Sequence, residues 1–187
     1  RGTRITLLEE GDVLLSGTTN STSVSENHAW LLRLNSTGQT LWTTTVEDAP
    51  LLQAVDAVEH ENGNLTLLGM RYANPADGYD WGWYHLASDG ALISTTTWSS
   101  PQWDLPLRCW NRNETLWTLG TSYNTGNGDV LWMQHVQDDN EEWVFSETGL
   151  VFATALEEIA ADGLWVGDTL VVASTSVTSN RALINAV

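Results

Sequence analysis

The sequence predicts an all-β fold, a propeller-like array of about four four-stranded antiparallel blades, the last one incomplete. Three observations predict it. A short apolar run that ends in a small residue recurs four times: Val13-Leu14-Leu15-Ser16-Gly17, Leu65-Thr66-Leu67-Leu68-Gly69, Leu116-Trp117-Thr118-Leu119-Gly120 and Thr169-Leu170-Val171-Val172-Ala173, with closing residues spaced by 52, 51 and 53. A second run keeps the same step: Trp30 to Leu34, Gly82 to Leu86, Trp132 to Val136 and Leu183 to Val187. A threonine triplet, Thr43-Thr44-Thr45, returns as Thr95-Thr96-Thr97. Periods of this length mark solenoids or propellers.

The repeats run approximately over 1–49, 50–101, 102–149 and 150–187, as one domain or part of a larger propeller. The second shows the element order. Leu52 to Val58 reads as a first strand, closed by the turn signal Glu61-Asn62-Gly63. Asn64 to Met70 is a second strand, apolar at nearly every position, and a polar loop with Asn74, Pro75, Asp77 and Gly78 follows. Trp81 to Leu86 is a third strand, Ser88-Asp89-Gly90 a tight turn, and Ala91 to Trp98 a Thr-rich fourth strand. Each break holds the Gly, Asn, Asp or Pro that a turn needs. An apolar second strand suits burial between neighbouring sheets, and a half-polar fourth strand suits a wetted rim. Leu15, Leu67, Leu119 and Val171 are therefore expected to be nearly inaccessible, with Thr44 and Thr96 near the rim. A lone sheet cannot bury both faces, so neighbours are obligatory.

Helical signals are scarce. Ala155 to Ala161 has helix-forming composition and reads as a strand or a short helical turn. The strand expectation is fifteen, in three groups of four and a final three. The fourth repeat stops at Val187, where the first continues through Gly38 to Trp42. Its third strand is thus an unpaired edge, a template for strand addition or self-association. A continuation of the chain beyond Val187 is the first expectation there, and addition by a partner the second.

The charge is extreme. Among 187 residues there are 7 Lys plus Arg and 24 Asp plus Glu, a formal net charge of -17. Every basic residue is Arg. Such a surface repels nucleic acid and anionic lipid, whose phosphates need cationic partners. It suits salty water or an acidic exported protein. Cys109 is the only cysteine, so neither an intramolecular disulfide nor a multi-cysteine metal site is available. It reads as a small buried hydrophobe. No apolar run approaches a membrane span.

The turn Leu34-Asn35-Ser36-Thr37-Gly38-Gln39-Thr40-Leu41-Trp42 resembles the tryptophan-docking motif of quinoprotein-type propellers, in which a Trp after a Gly turn caps the next blade. The wider repeat resembles those of secreted bacterial and archaeal propellers, with an acidic residue before the third strand. Asp80 and Asp129 hold that place, and His28 replaces it in the first repeat. The second repeat keeps Gly90 but has Ser94 where Trp42 sits. The third has Asn140 for the Gly, and its Trp143 is displaced by one residue. The resemblance implies a series of propeller blades. Its decayed motifs speak against a bound quinone, and no cofactor is expected.

Four Asn-x-Ser/Thr sequons mark candidate N-glycosylation sites at Asn20, Asn35, Asn64 and Asn113. Tyr79, Trp81 and Trp83 alternate along a strand, and with Trp103 they form a candidate stacking surface for glycans, against which stands burial in the core. The loops Asn124 to Asp129 and Asp77 to Asp80 offer the oxygen ligands that calcium takes, as do ordinary connecting loops. His85 and His135 occupy equivalent places in successive repeats, too far apart to share an ion in adjacent blades, so no metal site is expected. Carboxylate neighbours such as Glu9-Glu10 and Glu157-Glu158 point to opposite faces of a strand and form no acid–base pair. The expected function is an extracellular, non-enzymatic scaffold or binding module in a cell-surface assembly, with a protein or glycan partner. An enzyme with its active site in loops at one end, or a glycan-binding propeller, is the alternative.

Overall fold

The computed structural model describes residues 1–20, 26–74, 78–140, 142–154, 156–176 and 181–187, the side chains of 74 and 181–183 excepted. The fold is all-β, with fifteen strands and a single 3-10 turn at Glu9–Gly11 among the described residues. The strands are β1 (Gly2–Leu7), β2 (Val13–Thr19), β3 (His28–Leu34), β4 (Thr40–Val46), β5 (Leu51–Glu59), β6 (Leu65–Asn74), β7 (Gly78–Leu86), β8 (Leu92–Trp98), β9 (Asp104–Arg112), β10 (Thr115–Ser122), β11 (Asp129–Gln137), β12 (Trp143–Phe152), β13 (Glu158–Val166), β14 (Thr169–Ser176) and β15 (Arg181–Ala186). They form four antiparallel sheets of consecutive strands: β1–β4, β5–β8, β9–β12 and the three-stranded β13–β15. The helix-like composition near Glu158 is overridden, and that segment opens β13.

Each sheet packs on the next in chain order. One apolar cluster joins the first and second sheets through Leu14, Leu31, Leu52 and Leu67. A second joins the second and third through Leu68, Trp83, Leu116 and Met133. A third joins the third and fourth through Leu119, Val130, Leu170 and Val172. Adjacent residues of an interior strand therefore serve different interfaces: Leu67 faces backward and Leu68 forward, as strand alternation requires.

That stacking corrects one expectation. Leu67 and Leu119 are fully buried, but Leu15 and Val171 are only half-buried. Leu15 lies on the face of the first sheet turned away from the second, and Val171 on the face of the fourth turned away from the third. Only the interior sheets are covered on both sides. The fourth strands β4, β8 and β12 are mostly exposed, with Thr44 and Thr96 half-buried.

Trp42 shows how the first sheet is fastened to the second. Its Nε1 donates to Ser88 O at 2.9 Å, and its ring covers Gly90, where a Cβ would stand 2.9 Å from the ring. Trp143, one residue out of step, points to the opposite side of its strand. It packs backward on His60 and His85 of the second sheet, with ring centroids 4.7 and 5.8 Å away. A one-residue slip on a strand reverses the face a side chain serves.

The first strand of every sheet is bulged at the same place. The register shifts lie between Gly2 and Arg4, Ala54 and Asp56, Pro106 and Arg108, and Ala160 and Asp162. The bulge brings the strand's backbone onto the small residue that closes the next strand. A Cβ on Gly17 would stand 2.3 Å from Arg1 O, and one on Gly120 2.4 Å from Leu105 O. The bulge thus requires the small closing residue at Gly17 and Gly120, whereas Gly69 is crowded by the side chains of Leu52 and Tyr84, and in the fourth sheet Ser174, one residue past Ala173, faces the bulge.

The residue after each bulge is charged, and the sign alternates: Arg4, Asp56, Arg108, Asp162. Arg4 Nε lies 3.0 Å from Asp56 Oδ1. Arg108 Nε lies 3.8 Å from Asp56 Oδ2 and 3.4 Å from Asp162 Oδ1. Asp56 also accepts from the N–H of Ala57 at 3.0 Å and of Cys109 at 3.2 Å. Burial raises its pKa to about 6, although Arg4 and the two backbone donors pull it down. Cys109 is buried and free, as its flanking residues suggested.

Candidate functional site

A cleft of about 630 Å³ opens between the second and third sheets. It is built from turns. The β5–β6 turn supplies His60, Glu61 and Asn62, and the β9–β10 turn supplies Asn113 and Glu114. Asn111 and Thr115 flank that second turn, and Trp143 closes one side. A second cleft of about 300 Å³ shares His60 and Trp143 and continues to His85, Ser94 and Asn64. The two open on either side of one wall, formed by a histidine and a tryptophan.

A short polar chain lies behind that wall. His60 Nε2 and Thr66 Oγ1 are 2.6 Å apart, and Thr66 Oγ1 and His85 Nδ1 are 2.9 Å apart. All three residues are buried. One hydroxyl has one proton, so it donates to one imidazole and accepts from the other. Because it meets Nε2 of His60 and Nδ1 of His85, the two rings share one tautomer, both Nδ1–H or both Nε2–H. Burial drives the pKa of His60 down to about 4, with a weak polar contact from Asn111 opposing. His85 falls to about 3, through burial first and then the neighbouring His60 and His135. His135, tilted against Trp83 with ring centroids 4.3 Å apart, falls to about 4 through burial. All three are neutral at neutral pH.

Several polar atoms here make no well-formed hydrogen bond: His85 Nε2, and His60 Nδ1 and Asn111 Oδ1, whose residues have only a loose polar contact with each other. They belong to residues that line the two clefts. Buried polar atoms are rarely left unpaired, so they are the natural contacts for a polar ligand. The carboxylates of Glu61, Glu114 and Glu142 are exposed around the rims. The cleft thus presents uncharged donors and acceptors inside an acidic border.

The aromatic platform read from the sequence divides in two. Trp81 and Trp83 are fully buried in the core between the second and third sheets, so neither ring face can meet a sugar. Their strand is covered on both sides, and alternation along an interior strand does not give an exposed face. Tyr79 and Trp103 do meet at the surface, edge to face at 5.4 Å, with Tyr72 beside Tyr79 at 5.2 Å. Trp103 is 54% exposed and lies over Gly78.

The sequons differ in setting. Asn20 is exposed, and its Ser21 and Thr22 lie outside the described residues. Asn35 closes its own turn, its Oδ1 accepting from the N–H groups of Thr37 and Gln39 at 3.0 and 2.9 Å. Asn113 is exposed at a turn with φ of 50°. Asn64 is half-buried, and Thr66 of its sequon is the hydroxyl between the two histidines. In the loops read for calcium, Asp77 lies outside the described residues, and Asp129 accepts from Thr125 Oγ1 at 2.7 Å. Among the described residues no group of three or more His, Cys, Asp or Glu is placed to hold a metal ion. None of their helices is long and apolar enough to cross a membrane.

The sequence singled out His85, Asn64, Asn113 and Trp143 for other roles, and did not single out His60 or Asn111. Its one available signal was the density of Asn beside His60, at Asn62 and Asn64, with Asn111 and Asn113 one repeat later. No protein-family model matches the chain, and no curated protein is significantly similar to it.

Proposed function

We propose that this chain is a non-enzymatic binding module of the cell exterior, that its four sheets are consecutive blades of a β-propeller, and that the clefts beside His60 hold a neutral polyhydroxyl ligand such as a glycan. The observation that carries the reading is the uncharged polar lining at His60, His85 and Asn111, in which His85 Nε2 is unpaired and His60 and Asn111 are only loosely paired, with an indole beside it. Hydroxyls both donate and accept, and neutral imidazole and amide groups do the same. An anionic ligand would meet the acidic border and the chain's -17 charge. General acid–base chemistry fits poorly, because a base with a pKa of about 4 or 3 is weak at neutral pH.

The propeller reading is supported by sequential four-stranded meanders stacked face to face and by the docking of Trp42 on the next sheet's turn. That contact resembles quinoprotein-type repeats. The exterior setting is supported by the sequons at exposed Asn20 and Asn113 and by the acidic surface. The binding test is a screen of neutral oligosaccharides followed by titration calorimetry on the hits. Asn111→Ala is expected to weaken binding at least tenfold while leaving the melting temperature within a few degrees. A screen without neutral hits, or an Asn111→Ala affinity equal to the parent's, would defeat the reading.

A further inference from the structure

The two outermost faces of the stack are apolar and differ from each other. The first sheet presents Ile5, Leu15 and Leu32 in one row, directly paired across β1, β2 and β3. Ile5 is 73% exposed, and a shallow groove of about 350 Å³ runs from it past Leu15 to Trp30. The fourth sheet presents Leu164, Val171 and Ala186 in one row, and Asp162, Ala173 and Ile184 in the next. Leu164 is 61% and Ile184 75% exposed. These are the faces on which each interior sheet buries its neighbour. The backward face of the first sheet corresponds to the face of the second that holds Leu67. The forward face of the fourth corresponds to the face of the third that holds Leu119.

The alternating charges show which surface complements which. Each ladder residue faces the following sheet: Arg4 meets Asp56, Asp56 accepts from Cys109 N–H of the third sheet, and Arg108 meets Asp162. Asp162 faces the open side and its side chain is 66% exposed, against 5% for Asp56. Its carboxylate is set as that of Asp56 is. Asp56 Oδ1 accepts from the next residue's N–H at 3.0 Å, and Asp162 Oδ1 from Gly163 N–H at 2.9 Å. A following sheet that matched would bring an arginine at the ladder position and a backbone N–H just after it. The third sheet does this for Asp56 with Arg108 and Cys109. The first sheet has the same pair, Arg4 and Ile5, at the equivalent positions after its bulge.

We infer that the forward face of the fourth sheet docks on the backward face of the first sheet of a second copy, and that two copies joined twice in this way close a ring of eight sheets. The contact is head-to-tail, the kind that closes into rings when the rotation permits. It repeats an interface that each chain already makes three times internally. Asp162 of one copy meets Arg4 and the Ile5 N–H of the other, so the alternation of sign continues across both junctions. The occupant is a second copy because its first sheet carries both the apolar row and the opposite charge.

Sedimentation velocity at tens of micromolar, in low and high sodium chloride, tests the ring. The expected species has twice the 20.6 kDa chain mass, and is favoured by salt because each copy carries a net charge of -17. A monomer in both salts overturns the inference, and open-ended polymers overturn the closed ring. Two substitutions on the outer faces test direction. Leu164→Arg spoils only the forward face and Leu15→Arg only the backward face, so each variant alone is expected to be monomeric. Their mixture is expected to give one open heterodimer, because each supplies the face the other lacks. No heterodimer on mixing, with far-UV circular dichroism showing both variants folded, overturns the head-to-tail contact. Should Leu15→Arg not fold, Ile5→Arg, on the same face and 73% exposed, replaces it, tested against Leu164→Arg in the same way.

Discussion

Lowering the pH from 7 to 5 should remove much of this fold's stability, through three buried histidines. His60, His85 and His135 have folded-state pKa values of about 4, 3 and 4, against an ordinary 6.5. The unfolded chain binds a proton at each site as the pH falls through 6.5, and the folded chain does not. Stability is therefore full above that value and is lost as the pH falls towards about 4. With about 1.4 kcal/mol per pH unit, each histidine costs about 2 kcal/mol at pH 5, and the three together on the order of 5 kcal/mol. Asp56 acts oppositely. Its folded pKa of about 6 exceeds the ordinary carboxylate value, so the folded state takes up a proton first and gains on acidification. That gain is about 1 kcal/mol over the same interval, leaving a net loss of about 4 kcal/mol. Domain stabilities are roughly 5–15 kcal/mol, so the chain should approach its unfolding midpoint in mild acid. Urea unfolding followed by tryptophan fluorescence, at matched ionic strength and pH 7 and 5, measures the difference. His135→Gln should lessen the loss by about 2 kcal/mol, because it deletes one of the three titrations. Equal stability at the two pH values would show that the histidines are hydrated in the folded state, and the argument would collapse.

Three further outcomes follow from packing and charge. Leu67→Ala should cost about 2–5 kcal/mol, because its site is enclosed by two sheets, while Leu15→Ala in the monomer should cost less than half as much. Equal losses in urea would mean that the first sheet's outer face is covered. Gly120→Ala should destabilise by about 1–3 kcal/mol, since the new methyl group would meet both Leu105 O and Trp81 at 2.4 Å. A melting temperature unchanged from the parent's would show that the bulge yields freely. Sodium chloride should raise the melting temperature by screening the -17 net charge, and a fall on adding salt would contradict self-repulsion.

Much of the secondary structure was legible because the repeat is read against itself. Gly63, Gly90 and Gly126 stand in turns at positive φ, and the apolar runs between turns fall on the second and third strands. The sequence could not show which face of a run is covered. Leu15 and Leu67 look alike as letters, and only the position of their sheets in the stack separates them. The same limit hid the burial of Trp81 and Trp83. The cleft was illegible for another reason. Its residues come from turns one repeat apart, at His60 and Asn111, and their chemistry depends on how closely two sheets approach. The displacement of Trp143 by a single residue was visible as a defect in a motif. Its meaning, a ring turned backward to wall the cleft, needed the strand geometry.

The alternating arginine and aspartate ladder gives the repeat a hidden period of two. A single sheet inserted or removed would put two arginines or two aspartates side by side, where Asp56 is 5% exposed and water screens little. Gain or loss of two adjacent sheets leaves every junction intact. The heritable module of this architecture is therefore the pair, a stretch of about a hundred residues. Lengthening of such an array by duplication would be tolerated in even steps and selected against in odd ones.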